Sequence, residues 1–175
     1  LSLAEHWTEV HQTAFDKLRD ALCDGQVLAF ADFTRPFILE TDASFEGLGA
    51  ILSQKQEDGT ARVIAYASRR LRPTERNETN YSSFKLEMLA LKWAVTERFR
   101  SYLLGAHFEV FTDNNPLAHF KTSKLGALEQ RWAAQLAVFD FSVKYKPGLL
   151  NRADALSRLP EEDCLPQPTT QLPAE

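Results

Sequence analysis

The hydrophobic positions at the beginning of the chain recur with the period of an α-helix. Within residues 2–25, Trp7, Val10, Ala14, Leu18 and Ala21 recur at helical intervals. Ser2 and Glu5 have the spacing of a capping box, and Asp24-Gly25 is a stop signal. The pattern therefore predicts a helix that ends near residue 25.

From Val27 to Ser68 the pattern changes to that of β-strands. Short runs rich in β-branched and aromatic residues occupy 37–44, 48–55 and 61–68. Glu46-Gly47 separates the first two runs, and Glu57-Asp58-Gly59 separates the last two. Short polar connections of this kind join antiparallel strands, so we expect three consecutive antiparallel strands.

A long helix is predicted from Pro73-Thr74 to about Leu104. Two apolar stripes run along it, and they comprise Tyr81, Phe84, Met88, Leu91, Val95 and Tyr102 on one side and Leu86, Leu89 and Trp93 on the other. Glu87 lies between the stripes, on a row whose other residues are small. A carboxylate on such a row can approach a neighbouring backbone and point at a specific target.

The second half of the chain alternates strands and helices. It reads as a strand ending in Asp113, a short helix after Pro116, a helix at 128–138, a strand at 139–147 and a last short helix at 151–159. This order predicts an α/β fold in which a five-stranded mixed sheet, with three antiparallel and two parallel strands, is flanked by helices.

Composition restricts the class of protein. The 175 residues are 44% hydrophobic and suit one domain with flanking segments. Two distant cysteines exclude a disulfide-dense scaffold and a cysteine-rich zinc module, and no run of about 18 apolar residues predicts a membrane span. A net charge of −4 argues against nucleic-acid binding by bulk charge alone. Because the chain opens on Leu1, we interpret it as a segment of a longer protein.

Four acids are placed where metal chemistry would need them: Asp42 and Asp113 at strand ends, Glu87 in the long helix and Asp154 in the last helix. Each alone has an ordinary interpretation, as a turn residue, a solvated helix glutamate, or a helix-terminal acid. Together they indicate a site for Mg²⁺ or Mn²⁺, because clustered carboxylates repel one another and stay ionised only beside a cation. A pair of such ions can drive phosphodiester hydrolysis.

These acids lie in four motifs that resemble the ribonuclease H domain of gypsy-like long-terminal-repeat retrotransposon reverse transcriptases. The motifs are FILETDASFEGLGAILSQ, SRRLRPTERNETNYSSFKLEMLALKWAV, FRSYLLGAHFEVFTDNNPL and YKPGLLNRADALSRLP. The resemblance extends from about Val27 to Pro160. It implies a ribonuclease H-like domain at 27–159, preceded by a connection helix at 1–26 and followed by a Pro-rich acidic linker at 160–175.

The resemblance also implies an activity and its surroundings. Asp42, Glu87, Asp113 and Asp154 match the four metal-binding acids of the family, which hold two Mg²⁺ ions, with Mn²⁺ possible, and hydrolyse the RNA strand of RNA–DNA hybrids. The implied partners are the hybrid, an upstream polymerase domain and a downstream integrase of one polyprotein. No Tyr-x-Asp-Asp polymerase motif is present. The implied location is intracellular and cytoplasmic, within virus-like particles.

Hybrids are recognised mainly through shape, 2′-hydroxyls and phosphates. The predicted substrate contacts are Ser68, Arg69, Arg70, Tyr81 and Asn151. Trp93 and Trp132 are predicted to be core anchors, and the scattered histidines to have structural or surface roles. Gly47-Leu48-Gly49 lacks the third glycine and the helix of a dinucleotide loop.

Two departures from the family pattern leave a second hypothesis open. Asn114 stands where many relatives have His, and the Asn151–Asp154 loop has one residue fewer than usual between its Asn and the Ala-Asp pair. The alternative is a catalytically inactive structural or domesticated protein-interaction module of the same fold. Setting aside the four site acids and four in the tail leaves 16 acids against 20 bases, so the body of the domain does not repel a hybrid.

Overall fold

The central feature of the structure, a computed structural model, is a five-stranded sheet. The described residues are 6–23, 28–76, 81–113, 125–147 and 150–157. The strands are β1 (Phe37–Ala43), β2 (Gly47–Lys55), β3 (Ala61–Arg70), β4 (Phe108–Thr112) and β5 (Phe141–Tyr145). The helices are α1 (Glu9–Cys23), α2 (Ser83–Trp93), α3 (Arg100–Leu103), α4 (Ala127–Leu136) and α5 (Asp154–Ser157), with a π-helical turn at Ala94–Arg98.

The strand order is β3-β2-β1-β4-β5. β1, β2 and β3 are antiparallel neighbours, whereas β4 lies parallel to β1 and β5 parallel to β4. The predicted mixed sheet is therefore confirmed. Glu40 of β1 lies opposite Phe111 of β4, so the register brings Asp42 level with Asp113 two residues further on.

The helix α2 packs against one face of the sheet and supplies much of the core. Both predicted apolar stripes contribute to the core, since Met88 and Leu91 on one and Leu86 on the other are at most 2% exposed. Tyr81, Phe84 and Tyr102 of the first stripe are partly buried. The stripes meet strand residues of the same cluster, which includes Phe37, Leu39, Leu52, Phe108 and Val110. Trp93 and Trp132 belong to this core as predicted.

The predicted start of the long helix is wrong. Residues Pro73–Glu75 form a separate 3₁₀ turn, and α2 begins only at Ser83, where the Ser82 hydroxyl accepts a hydrogen bond from the Lys85 N–H at 3.3 Å. A capping serine so close to the apolar run supplies a better start than Pro73-Thr74.

An ion pair explains why the 3₁₀ turn is separate. Both terminal nitrogens of Arg69 donate to the Glu75 carboxylate, at 2.7 and 3.1 Å, and the Arg72 N–H donates to it at 2.8 Å. The guanidinium also lies 5.5 Å from the ring centroid of Trp93. Burial by itself raises the pKa of the Glu75 carboxyl, but the hydrogen bonds from Arg69 and Arg72 outweigh burial and hold that pKa below its ordinary value of 4.5.

The short helix α5 and the residue before it pack closely on β2. At Gly49, an added Cβ would lie 2.5 Å from the Ala153 carbonyl oxygen and 2.9 Å from the Ser157 nitrogen. At Gly47 it would lie 2.8 Å from the Arg69 carbonyl oxygen. The two glycines of the rejected dinucleotide motif therefore serve a different purpose, since they allow α5 and β3 to approach the β2 backbone.

The first helix exists as predicted, although it begins at Glu9 rather than near Ser2. Its apolar side is not buried against the described residues: Val10, Phe15 and Leu18 are 76%, 51% and 68% exposed. None of the described helices is long and apolar enough to cross a bilayer. Some predictions lie outside the described residues, namely the cap at Ser2 and Glu5, the stop at Asp24-Gly25, the role of Asn114, the helix after Pro116, the role of His119 and the tail at 160–175.

Changing Gly49 to Ala should destabilise the protein by about 1–3 kcal/mol, because the new methyl group would meet backbone atoms that cannot rotate away. Thermal unfolding monitored by circular dichroism would measure the change. Gly126→Ala is the matched control, since the nearest atom there is the end of the Glu129 side chain, which can move. Equal stability of the Gly49 variant and wild type would contradict the close packing of α5.

Glu75→Gln should destabilise the protein by roughly 2 kcal/mol near neutral pH, where the carboxylate accepts charged hydrogen bonds. A carboxyl with a lowered folded-state pKa contributes stability above the ordinary value of 4.5 and loses it as the pH falls through the folded-state pKa. The difference between wild type and variant should therefore shrink below pH 4.5 in urea unfolding. Glu57→Gln is the control, because the Glu57 side chain is 89% exposed. A difference that stays constant down to acid unfolding would contradict this role.

Candidate metal centre

Three carboxylates from separate elements converge beside the carboxyl ends of β1 and β4. One ligand oxygen from each of Asp42, Glu87 and Asp113 lies within 4.8 Å of the others. Asp42 is 2% and Glu87 is 4% exposed, and Asp113 is half-buried. The structure thus brings together three of the four predicted acids.

The position of each acid follows from its element. Asp42 lies near the end of the central strand β1, and Asp113 directly follows its parallel neighbour β4. Glu87 projects from α2, whose apolar stripes fix the helix on the sheet, and its Oε1 accepts a hydrogen bond from the Ala43 N–H at 3.2 Å. The small-residue row around Glu87 therefore does what the sequence indicated, since it lets the carboxylate reach the β1 backbone.

Such a cluster suits a hard divalent cation. Like charges at this separation repel one another, and burial of Asp42 and Glu87 adds the cost of removing charge from water. A cation reverses both effects, and carboxylate oxygens are the ligands that Mg²⁺ and Mn²⁺ prefer. The donor set is all oxygen and fits these ions.

Asp154 begins α5 and is half-buried, and it is not a member of the group of three within the described residues. Its role as a fourth ligand stays a prediction. The same helix reaches the site through another residue, because the Ser157 hydroxyl donates a hydrogen bond to Oδ2 of Asp42. Sequence reasoning missed Ser157, although it follows Asp154 by one helical turn.

A buried ion network lies next to the acids on β1. Glu40 is 1% exposed, and its carboxylate accepts hydrogen bonds from Lys146 at 2.5 Å and from Nε of Arg152 at 2.8 Å. Arg152 also donates to the Ser53 hydroxyl at 3.1 Å. The sequence signal for Glu40 was present, since a charged residue two positions before Asp42 interrupts an apolar strand. The network ties the segment before α5 to the sheet.

Asn151, predicted to contact substrate, is 5% exposed and makes two internal hydrogen bonds. Its amide nitrogen donates to the Thr41 carbonyl oxygen at 2.9 Å, and its side-chain oxygen accepts from the Ala153 N–H at 3.2 Å. In this structure Asn151 anchors the loop to β1. A contact with substrate remains a prediction.

Three of the other predicted substrate contacts line one cavity. Ser68, Arg69 and Arg70 line a cavity of about 220 Å³ together with Ser157 and other residues of the β1–β2 turn and α5. Ser68 and Arg70 are exposed, whereas Arg69 is held by the ion pair described above. Tyr81 is half-buried, and burial raises the pKa of its phenol above the ordinary value of 10.0.

Comparison with known proteins identifies the family. Residues 7–110 match the family described as an RNase H-like domain found in reverse transcriptase. The chain is 42% identical over 164 residues to the retrovirus-related Pol polyprotein from transposon opus of Drosophila melanogaster. The aligned residues make up 92% of this chain and 16% of that protein. The chain is 37% identical over 156 residues to the corresponding polyprotein from transposon gypsy of the same fly, covering 87% of this chain and 14% of that protein.

A more distant relative is the transposon Tf2-3 polyprotein of Schizosaccharomyces pombe, 33% identical over 162 residues, which make up 89% of this chain and 12% of that protein. The chain therefore spans about one sixth or less of the length of the curated relatives it matches.

Solved structures agree on the fold. A foamy viral protease-reverse transcriptase in complex with RNA/DNA hybrid superimposes with a TM-score of 0.55 at 21% identity, covering 97% of this chain and 22% of that one. The foamy viral protease-reverse transcriptase dRH in complex with double-stranded DNA gives 0.59 at 19% identity, over 83% and 27% of the two chains. With the sheet order and the acidic cluster, these matches show that the chain belongs to the RNase H-like domains of reverse transcriptases from gypsy-like retrotransposon Pol polyproteins.

Proposed function

We propose that this domain is a metal-dependent endonuclease that hydrolyses the RNA strand of RNA–DNA hybrids during reverse transcription of a retrotransposon. The observation that carries the proposal is the convergence of Asp42, Glu87 and Asp113 within 4.8 Å of one another. Buried acids in such a group cost stability unless they hold a cation, so a structural role alone does not account for them. The family membership supports the same activity.

Each acid has a proposed share in holding the metal. When bound, two divalent cations supply an activated water and stabilise the oxygen that leaves phosphorus. Asp42, Glu87 and Asp113 would hold the cations, and Asp154 would help to hold them as a fourth ligand. The products would be a 3′-hydroxyl and a 5′-phosphate. The Glu87 carboxylate keeps its orientation through the Ala43 N–H.

The proposed substrate contacts use the cavity beside α5. Ser68 and Arg70 are exposed at its wall, where they can meet a phosphate of the hybrid, and Arg69 is held rigidly between them by Glu75. Asn151 would act on substrate indirectly unless the loop moves, and Tyr81 would lie near the sugar. That the foamy viral relative binds an RNA/DNA hybrid supports this class of substrate.

The partners in the polyprotein belong to the proposal as well. The matched relatives are Pol polyproteins, and this chain spans only a small part of them. Residues 1–26 would connect the domain to an upstream polymerase, and residues 160–175 would lead towards an integrase. The exposed apolar side of α1 suits a connection that is covered by another domain. We place the protein in the cytoplasm, within virus-like particles.

An inactive module of the same fold is the second candidate. It is favoured by one observation, that Asp154 lies outside the group of three carboxylates. In that case the acids would persist without catalysis, and the domain would serve as a structural or protein-interaction element. Cleavage measurements separate the two.

Glu87→Gln should raise the free energy of unfolding in EDTA by roughly 1 kcal/mol, because it removes one of three neighbouring acids and keeps the acceptor for Ala43. The same variant should lose most of the stabilisation that Mn²⁺ gives to wild type. Differential scanning calorimetry with and without Mn²⁺ measures both. Glu97→Gln, an exposed acid paired with Lys92, is the control. A variant less stable than wild type in EDTA would contradict the repulsion.

Purified chain with Mg²⁺ should cut the labelled RNA strand of an RNA–DNA hybrid and leave single-stranded RNA intact. Asp42→Asn should lower the rate by more than about a hundredfold, because the lost metal binding removes several kcal/mol of charge stabilisation. Asp140→Asn is the matched control, since Asp140 is an exposed acid paired with His107. No cleavage at any concentration of Mg²⁺ or Mn²⁺ would favour the inactive module.

A further inference from the structure

The last described residue of α5 touches the acidic cluster directly. The hydroxyl of Ser157 donates a hydrogen bond to Oδ2 of Asp42, across 115 positions of sequence. Ser157 is 3% and Asp42 2% exposed, so the contact is shielded from water. A buried hydrogen bond between a hydroxyl and a carboxylate is stronger than one between neutral groups, because the acceptor carries a full charge.

Two further contacts hold the Ser157 backbone in this place. Its carbonyl oxygen accepts a hydrogen bond from the Ser44 hydroxyl at 2.5 Å. The absence of a side chain at Gly49 lets the Ser157 backbone lie against β2. The hydroxyl is therefore presented to Asp42 by a backbone that has little freedom to move.

The segment before α5 and the end of α5 itself contact β1 at three successive residues. Glu40 accepts from Lys146 and Arg152, the Thr41 carbonyl accepts from Asn151, and Asp42 accepts from Ser157. The first two contacts hold the segment, and the third acts on a carboxylate of the candidate metal centre. The contacts of Glu40 and Thr41 therefore anchor the segment, whereas only the contact of Ser157 with Asp42 can affect the candidate metal centre directly.

We propose that Ser157 is a positioning residue, whose hydroxyl holds the Asp42 carboxylate in the orientation that a divalent cation requires. The inference rests on the proposed metal-dependent function and adds a residue to it. Donation to one carboxylate oxygen restricts rotation of the carboxylate and so fixes the direction of its other oxygen. Groups that orient a metal ligand in this way commonly change metal affinity when they are removed.

A purely structural role makes a different prediction, and Ser44 allows the two to be separated. Ser44→Ala removes the hydrogen bond to the Ser157 carbonyl oxygen, which anchors α5, and leaves the Ser157 hydroxyl in place. Ser157→Ala removes the contact with Asp42. If Ser157 only anchored the helix, both substitutions would affect metal binding equally.

The experiment measures binding of Mn²⁺ to the full 175-residue chain by electron paramagnetic resonance, with Asp42→Asn to identify the site. Ser157→Ala should weaken binding by about tenfold or more, and Ser44→Ala by less than about threefold. Ser157→Thr, which retains a hydroxyl, should bind more tightly than Ser157→Ala. Circular dichroism in EDTA checks that each variant is folded.

Binding by Ser157→Ala within about threefold of wild type would overturn the inference, and so would an equal loss in Ser44→Ala. Hybrid cleavage by wild type, measured in parallel, tests the proposed function separately. A wild type that binds Mn²⁺ at Asp42 and cuts no hybrid would refute the nuclease while leaving the comparison of Ser157 and Ser44 valid. A wild type that cuts hybrid while Ser157→Ala binds Mn²⁺ normally would refute only the role of Ser157.

Discussion

The packing of α2 on the sheet is the interaction on which the candidate site depends, because it holds Glu87 beside Asp42 and Asp113. Two of these acids are buried and all three lie within 4.8 Å, an arrangement that a chain without a cation adopts only at a cost in stability. The cost is offset by the apolar packing of α2 on the sheet, which buries residues of both stripes of that helix. The core therefore holds the charges together, and a divalent cation would relieve the strain that the core imposes.

The segment from Lys146 to Ser157, which includes α5, contacts β1 on the face opposite α2. Glu40 and Asp42 point to the same face, because side chains two residues apart in a strand do so. Glu40 forms ion pairs with Lys146 and Arg152 of this segment, and Asp42 accepts a hydrogen bond from the hydroxyl of Ser157. Gly49 permits the close approach that both contacts need. Glu40, which stabilises the fold, and Asp42, which belongs to the candidate site, therefore lie two residues apart on β1.

Periodicity predicted the strands, the core helix and the place of Glu87 between two apolar stripes. It failed at the start of α2, where Ser82 caps the helix and Glu75 binds Arg69 in a separate turn. It also failed to find Glu40 and Ser157, because their partners lie more than 100 positions away in sequence. For Arg69 and Asn151 the predicted contact with substrate stays a prediction. Residue type suggested contact with substrate, whereas the structure gives both side chains internal partners.

By itself the sequence determined the α/β class, the order of the elements, the family and the identity of the acids, because these depend on local period and on motifs that read along the chain. Only the tertiary structure decided which acids meet. The parallel register of β1 and β4 brings Asp42 level with Asp113, and the seating of α2 adds Glu87. Pairing between distant strands and helices is set by core packing and by buried ion pairs, whose partners no local pattern in the chain specifies.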